Sequence, residues 1–310
     1  FCYLYLRQSL ERKGLEHFFK TMKQILFPPL LVLLLLGLSH GFFSHPPKSV
    51  QNQWKPALAA SSASSPPSSP SDRESRAISS IQKAVRDVKI HNRRIIECEF
   101  PALAALNKLG DGTLRSTMEA EDANLSFAVK VVRSLSPPFA ILPGPKARLV
   151  TGTAAPGSFL RKCEKLAPDV HSLRDGLDVP GLKGDDVIVI CTPSSRQDFT
   201  AAASIARGGR TVVIINAFAK DQKSIEGKSA LMAYYLKPLT YNSQVAGFLV
   251  RAYPNDWTTA DVLDKKALGV LTDKEILVPG TNTPDLTNPG VGRLVQKNVD
   301  QRALRERGRA

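Results

Sequence analysis

The chain is poor in cysteine and histidine, and its first quarter is poor in acid. Four cysteines occur in 310 residues, at Cys2, Cys98, Cys163 and Cys191. None forms a Cys-x-x-Cys pair, which argues against a zinc site or a disulfide framework. Cys98 and Cys191 sit in strand-like runs, where a buried thiol behaves as a small apolar side chain. A reactive thiol needs exposure and a lowered pKa, and these contexts indicate neither. Of five scattered histidines, His91 and His171 have no partner at metal-ligand spacing. No metal and no other cofactor is expected. The Gly-x-Ser-x-Gly elbow is absent too, so a Ser-His-Asp triad has no support in the sequence.

Long apolar runs are also missing. Ile25 to Leu38 is 14 mostly apolar residues, interrupted by Pro28-Pro29. A helix across a ~30 Å hydrocarbon core needs about 20. The run follows Met22-Lys23 and leads into Ser39-His40-Gly41, a signal-peptide layout. Residue 1 is Phe, so residues 1–21 read as upstream sequence outside the native protein. Phe42-Phe43 comes next, and residues 48–71 are rich in Ser, Ala and Pro with Lys48 and Lys55. No acid occurs between Glu16 and Asp72. Ser-rich, acid-poor, basic sequence has the composition of a transit peptide. A signal peptide, a phenylalanine at the cleavage point and a transit-like segment resemble the bipartite presequence of plastid proteins in algae with secondary plastids. The other reading makes residues 42–71 a flexible linker in a secreted or membrane-anchored protein.

What remains is an ordinary, somewhat basic globular composition. Hydrophobic residues make up 43%, enough for a sizeable core, and the formal net charge is +14. A basic balance favours acidic partners or an anionic membrane surface. No Lys/Arg run is long enough to form a binding patch, so no nucleic acid is expected.

The most informative stretch is Asp186 to Phe218. Val187–Cys191 and Thr211–Ile215 are unbroken β-branched runs, fitting strands buried on both faces. The alanine-rich Gln197–Arg207 between them closes on Gly208-Gly209, a helix and its stop. Strand, helix and strand make a βαβ unit. Upstream, Ser71 or Ser75 is placed to cap a helix with Ile78, Ile81, Ala84, Val85 and Val88 on one face, ending at His91-Asn92. Arg93–Phe100 alternates as a strand, with Glu97 and Glu99 on one face; at a sheet edge such a pair is solvated charge. Asp122 is placed to cap a second helix, which Pro137-Pro138 stops. Ala147–Thr151 and Val170–Leu173 read as short strands, and Leu231–Leu236 and Gln244–Val250 as later ones.

Two glycine motifs invite a phosphate reading. Gly227-Lys228-Ser229 looks like the end of a P-loop, but Gln222 stands where the first glycine is needed. Gly152-x-x-x-x-Gly157-Ser158 is better placed, after a strand and before a helix, where free amides favour an anion. It lacks the P-loop lysine, and Arg161 and Lys162 come a turn later. Its plainer reading is a βα turn. Thr192, Ser194, Arg196 and Asn216 lie at the carboxyl ends of the central strands, where open α/β sheets bind ligands. The loop after Ile190 is Thr192-Pro193-Ser194-Ser195, with no dinucleotide-type glycines. Arg251, Tyr253 and Trp257 could bind an acidic protein face, or could be a strand charge and two core plugs.

The order of several short motifs resembles a family. They are Glu97-Cys98-Glu99-Phe100-Pro101, Glu121-Asp122-Ala123-Asn124, Val187–Ile190 into Thr192-Pro193, Ile214-Ile215-Asn216, Tyr234–Pro238, and Arg251-Ala252-Tyr253-Pro254-Asn255-Asp256-Trp257. Over roughly residues 75–262 the chain resembles a plastid and cyanobacterial domain of unknown function that includes low photosystem II accumulation type assembly factors. The resemblance implies a stromal or thylakoid-associated α/β protein without an established catalytic site, partnered by thylakoid or photosystem proteins.

The expected fold is α/β, with a mostly parallel central sheet, helices on both faces and an antiparallel extension. The expected organisation is 22–41 signal peptide, 42–72 transit-like segment, 73–265 α/β domain and 266–310 weakly structured basic tail. The leading functional expectation is a non-enzymatic plastid protein that binds its partners. The alternative is a nucleotide- or phosphate-ligand enzyme built on Gly152–Ser158.

Overall fold

The β-branched runs at the centre of the chain become the inner strands of a nine-stranded sheet. The computed structural model describes residues 63–101, 114–136, 146–167, 170–175, 183–184, 186–217, 230–241 and 244–307. The strands are β1 Ile95–Glu99, β2 Ala147–Thr151, β3 His171–Ser172, β4 Val187–Cys191, β5 Thr211–Ile215, β6 Ala230–Tyr241, β7 Gln244–Ala252, β8 Trp257–Asp261 and β9 Ala267–Leu271. Their spatial order is β3-β2-β4-β5-β1-β6-β7-β8-β9. The first six run parallel, and β7, β8 and β9 join antiparallel. The expected α/β architecture is therefore the observed one.

The helices are α1 Pro70–Arg86, α2 Val88–His91, α3 Leu114–Leu135, α4 Gly157–Leu166, α5 Arg196–Arg207, α6 Asp273–Ile276 and α7 Pro289–Arg307. Helices α1, α3 and α4 cover one face, where Ile81, Leu125 and Phe159 meet Leu149, Val189 and Val213. Helix α5 covers the other, placing Phe199, Ala202 and Ile205 against Ile188, Ile190 and Ile214. Both faces of β4 are thus dry, which is why its five residues carry no polar alternation. Helices α6 and α7 extend the second layer, packing Ile276, Val291 and Val295 on Met232, Leu249 and Trp257. Among the described residues, no helix is long and apolar enough to cross a membrane.

Four local expectations are corrected. Helix α1 is capped by Ser69, whose hydroxyl accepts from the Asp72 amide at 3.1 Å; Ser71 and Ser75 lie inside it. Asp122 is not a cap but an interior residue of α3, bound by Lys162 Nζ at 2.7 Å. Strand β1 is central, between β5 and β6, so Glu97 is buried and accepts from Asn282 Nδ2 at 2.7 Å. Glu99 instead pairs with Lys237 Nζ at 2.6 Å. Finally, residues 266–307 are not weakly structured, because they supply β9, α6 and α7. The apolar spacing Val291, Val295 and Val299 gives α7 the stripe that seats it on the sheet.

Candidate functional site

The strand order creates one crevice of the kind that open α/β sheets use for ligands. From β2 the chain runs through α4 to β3 on one side, and from β4 it runs through α5 to β5 on the other. The carboxyl ends of β2 and β4 are therefore a topological switch point. A small cleft of about 40 Å³ lies there, lined by Glu121, Gly152, Pro156, Cys191, Thr192 and Ser194 among others.

Behind the cleft stands Asp198, a fully buried residue in the first turn of α5. Its Oδ1 accepts from the Thr153 amide at 2.6 Å and the Thr153 hydroxyl at 2.9 Å. Its Oδ2 accepts from the amides of Ser194 at 3.0 Å and Ser195 at 3.1 Å. The Ser195 hydroxyl returns the contact by accepting from the Asp198 amide at 3.2 Å, which completes a capping box. Burial pushes the Asp198 carboxyl up, but the amides of Thr153, Ser194 and Ser195 and the Thr153 hydroxyl outweigh it, so the group stays ionised below the usual carboxylate range. This internal anion thus occupies amides that an incoming phosphate would need.

Two features of the cleft face outward. Helix α4 starts at Gly157 after Pro156, and no side chain caps it. Across the cleft, burial and then the neighbouring Asp122 push the Glu121 carboxyl up, with Lys162 opposing. The nearby thiols are poor nucleophiles: burial pushes Cys191 up to about 12 and Cys163 up to about 11. Among the described residues, no group of three or more His, Cys, Asp or Glu is placed to hold a metal ion.

The structure brings Gly152, Thr192 and Ser194 together around this cleft. Gly157 and Ser158 form the exposed first turn of α4, and the exposed Arg161 follows one turn later. Arg196 opens α5 on the exposed side of the same loop. Asn216 does other work. Its Oδ1 accepts from the Phe100 amide at 2.8 Å and its Nδ2 donates to Asn124 Oδ1 at 2.7 Å, tying the end of β5 to β1 and α3. Thr192 and Asn216 share a backbone peculiarity, with φ of 48° and 44° in the left-handed region. Gly227-Lys228-Ser229 lies outside the described residues.

Arg251, Tyr253 and Trp257 belong to the antiparallel part of the sheet. Trp257 is fully buried and donates from Nε1 to Asp273 Oδ1 at 2.8 Å. Arg251 is 5% exposed, donates to the same oxygen and lies 5.1 Å from the Trp257 ring centre. Tyr253 is half-buried and donates from its hydroxyl to Asp87 Oδ2 at 3.2 Å. The residues that reading the sequence missed are Asp198 and Thr153 behind the cleft and Glu121 and Cys191 on its wall. A signal existed for Asp198, because Ser195-x-x-Asp198 has capping-box spacing. None existed for Glu121, whose place depends on how α3 crosses the sheet.

No curated protein and no solved structure matches the chain. A family model described as a domain of unknown function (DUF1995) does match it, over residues 67–268. That span runs from the residues before α1 into β9 and covers about two-thirds of the chain, so the protein belongs to the DUF1995 family.

Proposed function

We propose that this protein is a non-enzymatic plastid factor that binds thylakoid or photosystem proteins during their biogenesis. The observation that carries the reading is the state of the switch-point crevice. The amides of Thr153, Ser194 and Ser195 are satisfied from within by Asp198, and the Cys191 thiol that lines it is buried. Residues 73–310 carry 35 Lys/Arg against 25 Asp/Glu, a net charge of +10 that suits acidic protein partners or the anionic face of a membrane. The presequence layout of residues 22–72 and the ordered motifs from Glu97 to Trp257 supply the plastid and photosystem part of the reading. Affinity isolation of the tagged protein from plastids is the test. Photosystem or thylakoid proteins should co-purify, and their absence would overturn it.

A second reading is supported by the uncapped start of α4, with Arg161 one turn on. A helix start with no side-chain cap and a guanidinium could hold the terminal phosphate of a nucleotide. Calorimetric titration with nucleoside triphosphates tests it: saturable binding weakened by Arg161→Ala supports it, and no heat of binding removes it.

A further inference from the structure

The amino-terminal edge of the parallel sheet gathers cations that are scattered along the chain. Lys146 immediately precedes β2, Arg210 precedes β5 and Arg94 precedes β1. Lys183 stands just ahead of β4, and Arg207 is the last residue of α5, which leads down to the start of β5. Lys89 lies in α2, ahead of β1. The sheet register sets these starts side by side: Ala147 faces Val187, Val187 faces Thr211, and Ile95 faces Val212. With neighbouring strands about 4.8 Å apart, the four starts span roughly 14 Å.

These cations face water without counter-ions. Lys89, Arg94, Lys146, Lys183 and Arg207 are exposed, and Arg210 is half-buried. None of them has an ion-pair partner among the described residues. Arg94 donates to the Gly209 carbonyl, which fixes it beside Arg210. The flanking acids are occupied. Asp186 is buried, and its carboxylate accepts the backbone amides of Lys146 and Lys183, both at 2.9 Å, which holds the two lysines together at the edge. Asp87 accepts from the Tyr253 hydroxyl at 3.2 Å. At the carboxyl edge, by contrast, charges are matched: Lys162 pairs with Asp122 at 2.7 Å and Lys237 with Glu99 at 2.6 Å.

Unmatched cations on adjacent strand starts lie within about a Debye length of one another, ~8 Å at physiological salt, so they act on a partner as one field. Beside Lys89, the Ile90 side chain is 81% exposed. An uncovered aliphatic among cations suits a bilayer interface, where it enters the acyl boundary while the cations meet headgroups. A nucleic-acid strand calls instead for aromatic stacking platforms, and no aromatic residue adjoins any of these cations in the chain. We infer that the edge formed by Lys89, Arg94, Lys146, Lys183, Arg207 and Arg210 docks the domain on an anionic membrane surface. Such docking rests on the thylakoid setting proposed above and makes the bilayer itself a partner. The parallel strands then stand end-on to the membrane, and the switch-point crevice at their carboxyl ends faces away from it.

The full chain is mixed with phosphatidylcholine vesicles with and without phosphatidylglycerol, and the bound fraction is read by sedimentation. Two charge-matched variants are compared with the native protein. Lys146→Gln/Lys183→Gln/Arg207→Gln removes three exposed edge cations that pair with nothing among the described residues, so thermal stability is unchanged. Lys297→Gln/Arg305→Gln/Arg307→Gln removes three exposed cations of α7, which packs on β8 and β9 at the other end of the sheet. The apolar run Ile25–Leu38 is common to all three proteins, so their comparison isolates the edge. At about fivefold for each cation near an anionic surface, the edge variant should bind phosphatidylglycerol vesicles roughly tenfold to a hundredfold less tightly, and the α7 variant within about threefold of native. High salt should erase the difference. Equal losses in the two variants would mean that net charge alone acts, and would overturn the inference. So would binding indifferent to phosphatidylglycerol in all three proteins, or binding of a single-stranded RNA homopolymer but of neither vesicle. The vesicles carry no protein, so failure here leaves the photosystem-protein reading standing, and failed co-purification leaves vesicle binding intact.

Discussion

Gly152 and Asp198 pack so closely that a Cβ built on the glycine would lie 2.7 Å from Asp198 Oδ2. The end of β2 and the start of α5 meet at this point, 46 positions apart in the sequence. Glycine is required here for space, since a methyl group would displace the carboxylate from the amides that hold it.

Gly152→Ala and Asp198→Asn should therefore destabilise the protein to a similar extent, by about 1–3 kcal/mol each, the cost of stranding buried donors. The double variant should cost less than the sum, because both changes break the same contacts. Chemical denaturation of the four proteins checks this. Strict additivity would show that the glycine and the carboxylate act separately.

Acid should reveal the same carboxylate. The folded pKa of Asp198 is depressed, so its stabilisation is present above the unfolded value of about 3.9 and is lost as pH falls through the folded value. Asp72 moves the same way, to about 2, chiefly through its bond from Arg76. The stability gap between the native protein and Asp198→Asn should be flat from about pH 5 to 7 and shrink below about pH 4. A gap unchanged down to pH 2 would contradict the assignment.

Glu121 carries the opposite sign. Burial and Asp122 raise its folded pKa, so its contribution favours the folded state at low pH and is lost as pH rises through the folded value. Glu121→Gln should match the native protein near pH 3 and gain on it as pH rises above about 5. Thermal melts across this range read the crossover directly.

The two left-handed residues should respond differently to glycine. Thr192→Gly relieves an unfavourable backbone and loses one weak contact to Cys191 Sγ at 3.9 Å, so stability should rise or stay within about 1 kcal/mol. Asn216→Gly relieves the same strain but strands the Phe100 amide and the Asn124 side chain, a net loss of about 1–3 kcal/mol. Equal effects in equilibrium unfolding would mean that the Asn216 side chain contributes nothing.

Asp273 joins α6 to the sheet by accepting from Arg251 and Trp257 together. Burial pushes its carboxyl up, but Arg251 and Trp257 prevail and keep it low. Asp273→Ala leaves the Arg251 guanidinium buried without its anion. The expected cost is about 2 kcal/mol, less than the ~3–5 of a fully enclosed pair because Asp273 is a third exposed. Adding Arg251→Met should recover much of it, and near-ultraviolet dichroism of Trp257 reports whether the local packing survives.

Much of the framework was legible because burial leaves a local mark. A strand dry on both faces must be apolar at every position, and Val187–Cys191 and Thr211–Ile215 are so. The alanines of α5 and the Gly208-Gly209 stop are equally local. The helix α7 was missed because its apolar stripe is three valines among seven charged residues, which reads as a tail until a sheet face is available to receive it. Glu97 was misread for a related reason: an acid in an alternating strand signals solvent, and only its burial beside Asn282 reverses that. At the candidate site, Gly152, Thr192 and Ser194 were visible as strand-end residues, whereas Glu121 reaches the cleft from a helix that crosses the sheet.

The sequence by itself determined most of the strands and helices up to β7, because side-chain periodicity is set by burial along each element. The tertiary structure alone decided that β1 enters between β5 and β6, and that β2 and β4 lie side by side as the switch point. It alone decided that Asp198 closes that crevice from within. Strand order and cavity walls arise from contacts between residues tens to hundreds of positions apart, and no local pattern encodes which partner each element will meet.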